Sequence, residues 1–443
     1  MVDAKMTLGT VARAWWPLAA SWLLMSVELP ALGAVVGRLP DATTQLAAYG
    51  GVVFPIALII EAPIIMLLAA STSLCRDRAS YKLLRRFMHR SAALLTALHV
   101  VLVATPLYDL VVVGLMDVPE AVVAPARVGL LIMLPWTWSI AYRRFNQGIM
   151  IRFGHARAVT AGTTLRLCAN IIVLWLGWVV LRLPGIVVAT SAVASGVVVE
   201  AVYAAVRVRS IVRQHLGEID HDNPPVRGRA FAAFYVPLAL TSVITLAAQP
   251  LCTAAIARMP GPLNSLALWP IVTGLLFILQ AMGLAFTEVV VSMVSRPGAL
   301  RPLKTFGQLL GGFTGLCVLL VATTPLAEFW FVRFSSMDPR LAAMGTAALW
   351  LAIPIPATRA IQSWYQGILV HARRTGPVTE SVVLFFVLCG MVLLAGILLR
   401  FDSGLAVAIA ACSMGRVGQT IWLWYRSRPV ERELLENVEI STR

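Results

Sequence analysis

Of 443 residues, 59% are apolar and only 13% charged, and the mean hydropathy is +0.82; a water-soluble chain of this size would lack the polar surface to cover itself, so the expected solvent is a lipid bilayer. The net charge of +15 could suit a nucleic-acid binder, but it sits in short breaks between apolar runs. Nucleic acid is therefore excluded as a partner, and anionic lipid head groups are the expected one.

A helix needs roughly 20 apolar residues to cross the hydrocarbon. Twelve such stretches follow one another near 15–36, 46–70, 91–116, 122–142, 158–181, 185–206, 231–256, 264–290, 305–330, 341–368, 378–399 and 404–425. The predicted fold is an all-α polytopic membrane protein. The first run is long enough to span and no small-residue cleavage site follows it, so it is read as a retained span rather than a leader. The six cysteines show no metal-type spacing and read as apolar packing residues, so neither a metal nor a disulfide framework is expected.

Between the spans the basic residues are unevenly shared. With the N-terminus inside, 26 Lys and Arg fall on the cytoplasmic side, four of them in 143–157, and seven on the other; Arg166, Arg359 and Arg416 lie within spans. Basic loops stay in the cytoplasm, so both termini are predicted there, in a plasma membrane of the bacterial inner-membrane kind. The longest polar interruption, 207–230, divides the chain into six-helix bundles at 1–206 and 231–425, with a cytoplasmic tail at 426–443.

The two halves repeat each other. At a shift of 220, PLAASWLLMSVELPALGAVVGRLP from Pro17 lies on PLALTSVITLAAQPLCTAAIARMP from Pro237, pairing Pro30 with Pro250. At 219, PWTWSIAYRRFNQGI from Pro135 lies on PIPATRAIQSWYQGI from Pro354, pairing Gln147-Gly148 with Gln366-Gly367. Six spans separate the copies, so the repeat is parallel, and the expected cavity lies between two bundles. Pro30 and Pro250 each remove a backbone hydrogen bond at symmetric places and are the predicted hinges.

Ionisable groups inside spans are costly and hence candidates for function. Thr163, Arg166 and Asn170 share one helical face. Arg359, Gln362, Ser363 and Gln366 share another, and Ser413, Arg416 and Thr420 a third. Arginine's planar, permanently charged fork suits carboxylate or phosphate, so Arg166, Asn170, Arg359, Gln362, Arg416 and Gln249 are the candidate substrate-binding residues. The alternative is that these arginines neutralise Glu28, Glu61, Glu200 and Glu288 in structural pairs. Glu61 is the first candidate to carry a coupling proton or cation and Glu28, two residues before Pro30, the second. Glu200 and Glu288 read as interfacial, His99 as packing, and the two Gln-Gly pairs as helix ends. No catalytic motif is present, so an enzyme is not expected.

Proline-bearing spans 1 and 7, together with spans 4 and 10 ending RRFNQGI (143–149) and QSWYQGI (362–368), resemble the multidrug and toxin extrusion (MATE) transporters, whose superfamily also holds lipid-linked sugar flippases. ELPALGAVVGRLPDATTQLAAYG (28–50), FYVPLALTSVITLAAQP (234–250) and PIPATRAIQSWYQGIL (354–369) resemble the progressive-ankylosis exporters most. The resemblance implies alternating access, and for the ankylosis branch export of small anions such as pyrophosphate or citrate. For MATE members it implies cation-coupled drug efflux, usually through acids in spans 1, 7 or 8. Span 7 has no acid here, and Gln249 stands beside Pro250. The expectation is a monomeric secondary exporter of a small anion, without a cofactor but with H+ or Na+ as possible coupling ion; drug efflux and saccharide flipping are the alternatives.

Overall fold

In the computed structural model the chain is described at residues 6–216, 228–296, 298–372, 374 and 376–441. Among these residues there is no strand. Eleven helices are long and apolar enough to cross a membrane, or twelve when Glu120–Ile132 and Leu134–Arg152, bent by 44° against each other, count as one span. Those residues therefore form a multi-pass helical membrane protein. The bend falls at Met133, just before Leu134-Pro135; a proline at the start of a helix lacks only an N–H that would have had no partner there.

The parallel repeat is written in the backbone. Non-glycine residues with left-handed conformation are Asp41, Asp117, Arg182, Ser336 and Arg400, and Gly261 joins them. They fall into pairs: Asp41 with Gly261, Asp117 with Ser336, Arg182 with Arg400. The offsets are 220, 219 and 218. Each Thr-Pro step, at 105–106 and 324–325, leads into a π-helical turn, Leu110–Leu115 and Phe329–Phe334. Helices opening at Gly185 and Gly404 then begin the last span of each copy. Gly177 closes on Val188 as Gly396 closes on Val407, so the 219-residue register holds through the packing of these spans.

By internal contacts the chain forms two compact units, one of Met1–Pro30, Met259–Gly261 and Leu268–Arg443, the other of Ala31–Arg258 and Pro262–Ala267. This division departs from the bundles expected at 1–206 and 231–425. In the first-named unit Val11, Trp15 and Ala19 share a core with Phe286, Val289 and Leu303, and the Trp15 indole donates to the Met282 carbonyl at 2.9 Å. In the other, the Gly228–Ala257 helix lies along Phe54–Ile65. There Tyr235 donates to the Pro63 carbonyl at 2.7 Å and stacks with Phe231.

Other boundaries move too. Residues 207–215 of the expected linker continue the Gly185–His215 helix, and 217–227 lie outside the described residues. The expected tail carries on the last helix, Gly404–Ser441. Val430 is fully buried there, and Lys304–Glu431, Arg374–Glu433 and Arg426–Glu380 pair along its flanks at 2.6, 2.9 and 3.0 Å. The expected hinges differ. Span 1 is interrupted at Val27, because Pro30 has no N–H for the Ser26 carbonyl, and Glu28 opens the next helix. Pro250 lies inside the unbroken helix Gly228–Ala257.

Candidate functional site

The fourth span sets the first cluster. Its expected end at 142 is wrong, because the helix runs on to Arg152 and carries Arg143, Arg144 and Gln147 with it. Arg143 is 3% exposed and Glu200, on the sixth span, 1%. Arg143 Nη1 donates to Glu200 Oε2 at 2.7 Å and Gln147 Nε2 to Oε1 at 2.9 Å; Arg166 Nε stands 3.7 Å from Oε2. Thr163 adds a 3.4 Å hydrogen bond to the same carboxylate. One glutamate is thus held by four side chains from two other helices. Arg143 therefore lies within a helix rather than a loop, and Glu200 is buried away from water. A carboxylate deprived of water is stable when opposite charge and donors replace the lost hydration.

Two glycines make this junction possible. A side chain at Gly196 would collide with Asn170 and with Arg166, so its absence lets the fifth and sixth spans close with those polar groups between them. Gly148 lies against Ser71 and the Leu68 carbonyl; Thr72 donates to the Gly148 carbonyl at 3.2 Å, and Arg152 returns a 2.7 Å bond to the Thr72 carbonyl. The Gln147-Gly148 pair, expected to end a helix, instead sits within one and serves a polar contact and a helix crossing.

Glu61 is buried in the same unit and accepts from the Trp136 indole at 2.5 Å. Arg143, Arg144 and Arg166 are its electrostatic neighbours. Arg144 makes no hydrogen bond or ion pair among the described residues, and its Nε is buried. His99 meets Thr137 at 3.3 Å, in keeping with a packing role. Gln249 is half-buried in this unit, on the Gly228–Ala257 helix.

The second cluster belongs to the other unit. Gln362 Nε2 donates to the Arg416 carbonyl and to Thr420, both at 3.0 Å. Arg416 Nη1 donates to Gln419 Oε1 at 3.2 Å, with its guanidinium 4.8 Å from the Phe385 ring centre, a cation–π distance. Arg359, one turn before Gln362 on the same face, makes no side-chain hydrogen bond or ion pair among the described residues. Among the described residues neither arginine has a carboxylate at ion-pairing distance. Glu28, in the same unit, is half-buried, and Glu288 is exposed beside Trp22. The six cysteines are free thiols.

The structure thus gathers Arg166 and Asn170 at the Glu200 junction, and Arg359, Gln362 and Arg416 at a second junction. Sequence reading missed Arg143, Arg144, Trp136 and Gln419. A signal existed for Arg143 and Gln147: they stand four apart and align with Gln362 and Gln366, which share one helical face with Arg359.

Comparison with solved structures places this architecture. A multidrug resistance MATE family transporter of the MOP superfamily in the inward-facing conformation superposes with a TM-score of 0.69 at 15% identity, over 96% of this chain and 99% of that one. A MOP superfamily transporter from Pyrococcus furiosus, described by a reverse polarity of its binding pocket that suggests a different function, gives 0.67 at 16%, over 96% of each chain. The lipid II flippase MurJ in an inward closed conformation gives 0.70 at 12%, over 96% and 91%. The chain therefore has the fold of the MATE-type and flippase proteins of the MOP superfamily. No family model matches the sequence, and no curated protein matches it.

Proposed function

We propose that this protein is a secondary transporter, not an enzyme, which exports a small anionic solute by alternating access. The observation that carries the reading is Arg359: a guanidinium on a membrane span, with neither a carboxylate nor a hydrogen-bonding side chain to occupy it. A lone charge at that depth is costly, and a ligand of opposite charge offsets the cost. Its fork and that of Arg416 suit carboxylate or phosphate, which fits pyrophosphate- or citrate-like cargo of the kind the ankylosis resemblance implies. Glu61, with Glu28 behind it, is the proposed carrier of a coupling H+ or Na+. The setting is a bacterial inner membrane, both termini cytoplasmic, the protein acting as a monomer. Alternating access is supported by a similar fold, a MATE family transporter seen in an outward-facing conformation.

Purified protein in sealed liposomes, loaded with labelled pyrophosphate or citrate, tests this. Wild type should move at least one of them, Arg359→Gln should lose at least tenfold of the rate, and Arg359→Lys should keep part of it. Equal transport by wild type and Arg359→Gln would remove the assigned role. The likeness in fold to MurJ favours lipid-linked saccharide flipping as the second reading; movement of a labelled lipid-linked saccharide with no movement of either anion would select it. Multidrug efflux has less support, since a cationic drug would meet arginines with no carboxylate beside them among the described residues; resistance to organic cations on expression would restore it.

A further inference from the structure

The anion-transport reading leaves open which of the span arginines meet the cargo, and the repeat separates them. In the register shared by Gly185 and Gly404, Glu200 corresponds to Gln419, Arg143 to Gln362, Arg166 to Phe385 and Asn170 to Cys389. The pair Gly196 and Gly415 anchors the comparison: each lies four residues before the key position, and each abuts the corresponding residue of the neighbouring helix, Arg166 in one copy and Phe385 in the other. So the two junctions have the same architecture with opposite chemistry.

In the first copy a carboxylate stands at the centre and its arginines are spent on it. In the second copy the central group is an amide: Gln419 Oε1 accepts from Arg416 at 3.2 Å and Nε2 donates to Ser381 at 3.3 Å. Its two arginines are not those of the first copy, for Arg416 replaces Val197 and Arg359 replaces Ile140. Two carboxylates stand among three arginines in the first copy, Glu61 and Glu200 with Arg143, Arg144 and Arg166, whereas no carboxylate pairs with the two of the second. An amide can accept one hydrogen bond from a guanidinium but cannot neutralise it.

We infer that Gln419 is the specificity-determining position: its neutral amide, where the first copy has Glu200, keeps Arg416 and Arg359 free to hold a carboxylate or phosphate of the cargo. The Glu200 junction, where Arg143 and Arg166 share the carboxylate, is then a helix joint that does not touch cargo. This rests on the anion-transport reading. The phosphate could also be that of a lipid head group, so the lipid must be controlled.

The decisive substitution is Gln419→Glu, which copies the first repeat's carboxylate into the second. Wild type and variant are placed in phosphatidylcholine nanodiscs and titrated calorimetrically with inorganic pyrophosphate and with citrate; a parallel set contains phosphatidylglycerol. Wild type should bind a soluble anion in phosphatidylcholine alone, and Gln419→Glu should weaken it at least tenfold without lowering the thermal midpoint. Unchanged affinity in the variant, with wild type binding, overturns the inference and leaves anion transport standing. Binding lost in both discs but a midpoint raised by phosphatidylglycerol in wild type and not in the variant supports the role of Gln419, with a lipid head group as the ligand. If wild type responds to neither anion nor lipid, anion transport falls. The inference about Gln419, which rests on that reading, falls with it.

Discussion

Arg143 and Glu200, 57 residues apart in sequence, meet at 2.7 Å with almost no exposed surface. Removing one partner of such a pair leaves the other buried and charged, at a cost of about 3–5 kcal/mol. Glu200→Gln should therefore lower thermal stability sharply in detergent. Arg143→Gln combined with Glu200→Gln should restore part of the loss, because two amides can still bond to each other. A double variant no more stable than Glu200→Gln alone would show that the pair is not the source of the effect.

Gly148 and Gly196 both lack room for a methyl, but against different neighbours. At Gly148 the obstruction includes the Leu68 carbonyl and the Thr72 amide, which are backbone and yield only if the helices part; at Gly196 it is the Asn170 and Arg166 side chains. Gly148→Ala should cost about 2–3 kcal/mol, in the upper range for overpacking. Gly196→Ala should cost less, and Asn170→Ala should partly relieve it. Thermal midpoints of the four proteins decide the order.

The Trp136 indole donates to Glu61 at 2.5 Å. Trp136→Phe keeps an aromatic ring, though a smaller one, and removes the N–H, so it should destabilise by at least about 1–3 kcal/mol, the cost of a buried acceptor left without its partner. Glu61→Gln retains an oxygen to accept and should be tolerated in the fold. If Glu61 is the coupling group, the same Glu61→Gln should abolish the dependence of anion transport on a proton or sodium gradient while leaving downhill exchange.

The end of the last helix should be held by burial rather than charge. Its three ion pairs involve half-exposed side chains, and such pairs contribute roughly 0–1 kcal/mol each. Glu431→Gln and Glu433→Gln should thus change the thermal midpoint little. Val430→Asp should lower it strongly, since it would place a carboxylate against the core that Val430 shares with Leu423 and Leu300. Limited proteolysis after residue 426 should become rapid only in Val430→Asp.

Much of this architecture could be read without coordinates, and the reasons differ from place to place. Spans follow from hydropathy, and the repeat from prolines and Gln-Gly pairs, because packing constraints preserve such residues at fixed offsets. Arg166, Asn170 and Thr163 are legible as one helical face because helical spacing alone puts them together. Arg143 escaped because a basic run after an apolar stretch looks the same whether it ends a helix in water or continues it toward a carboxylate two helices away. That carboxylate, Glu200, was assigned to the interface for the converse reason. Nor could sequence distinguish Arg166, neutralised by its neighbour, from Arg359, which is not; the difference lies in what other helices bring alongside.

The separation of Arg143 from Glu200 also bears on how the protein is made. Chains are synthesised from the N-terminus, so the segment Leu134–Arg152 leaves the ribosome 57 residues before the carboxylate that neutralises Arg143. Until the sixth span arrives, the two adjacent arginines favour the aqueous surface, where charge is cheap. The Arg143–Glu200 pair can close only once the sixth span has been made, and a chain stalled before residue 200 should leave Arg143 accessible to solvent.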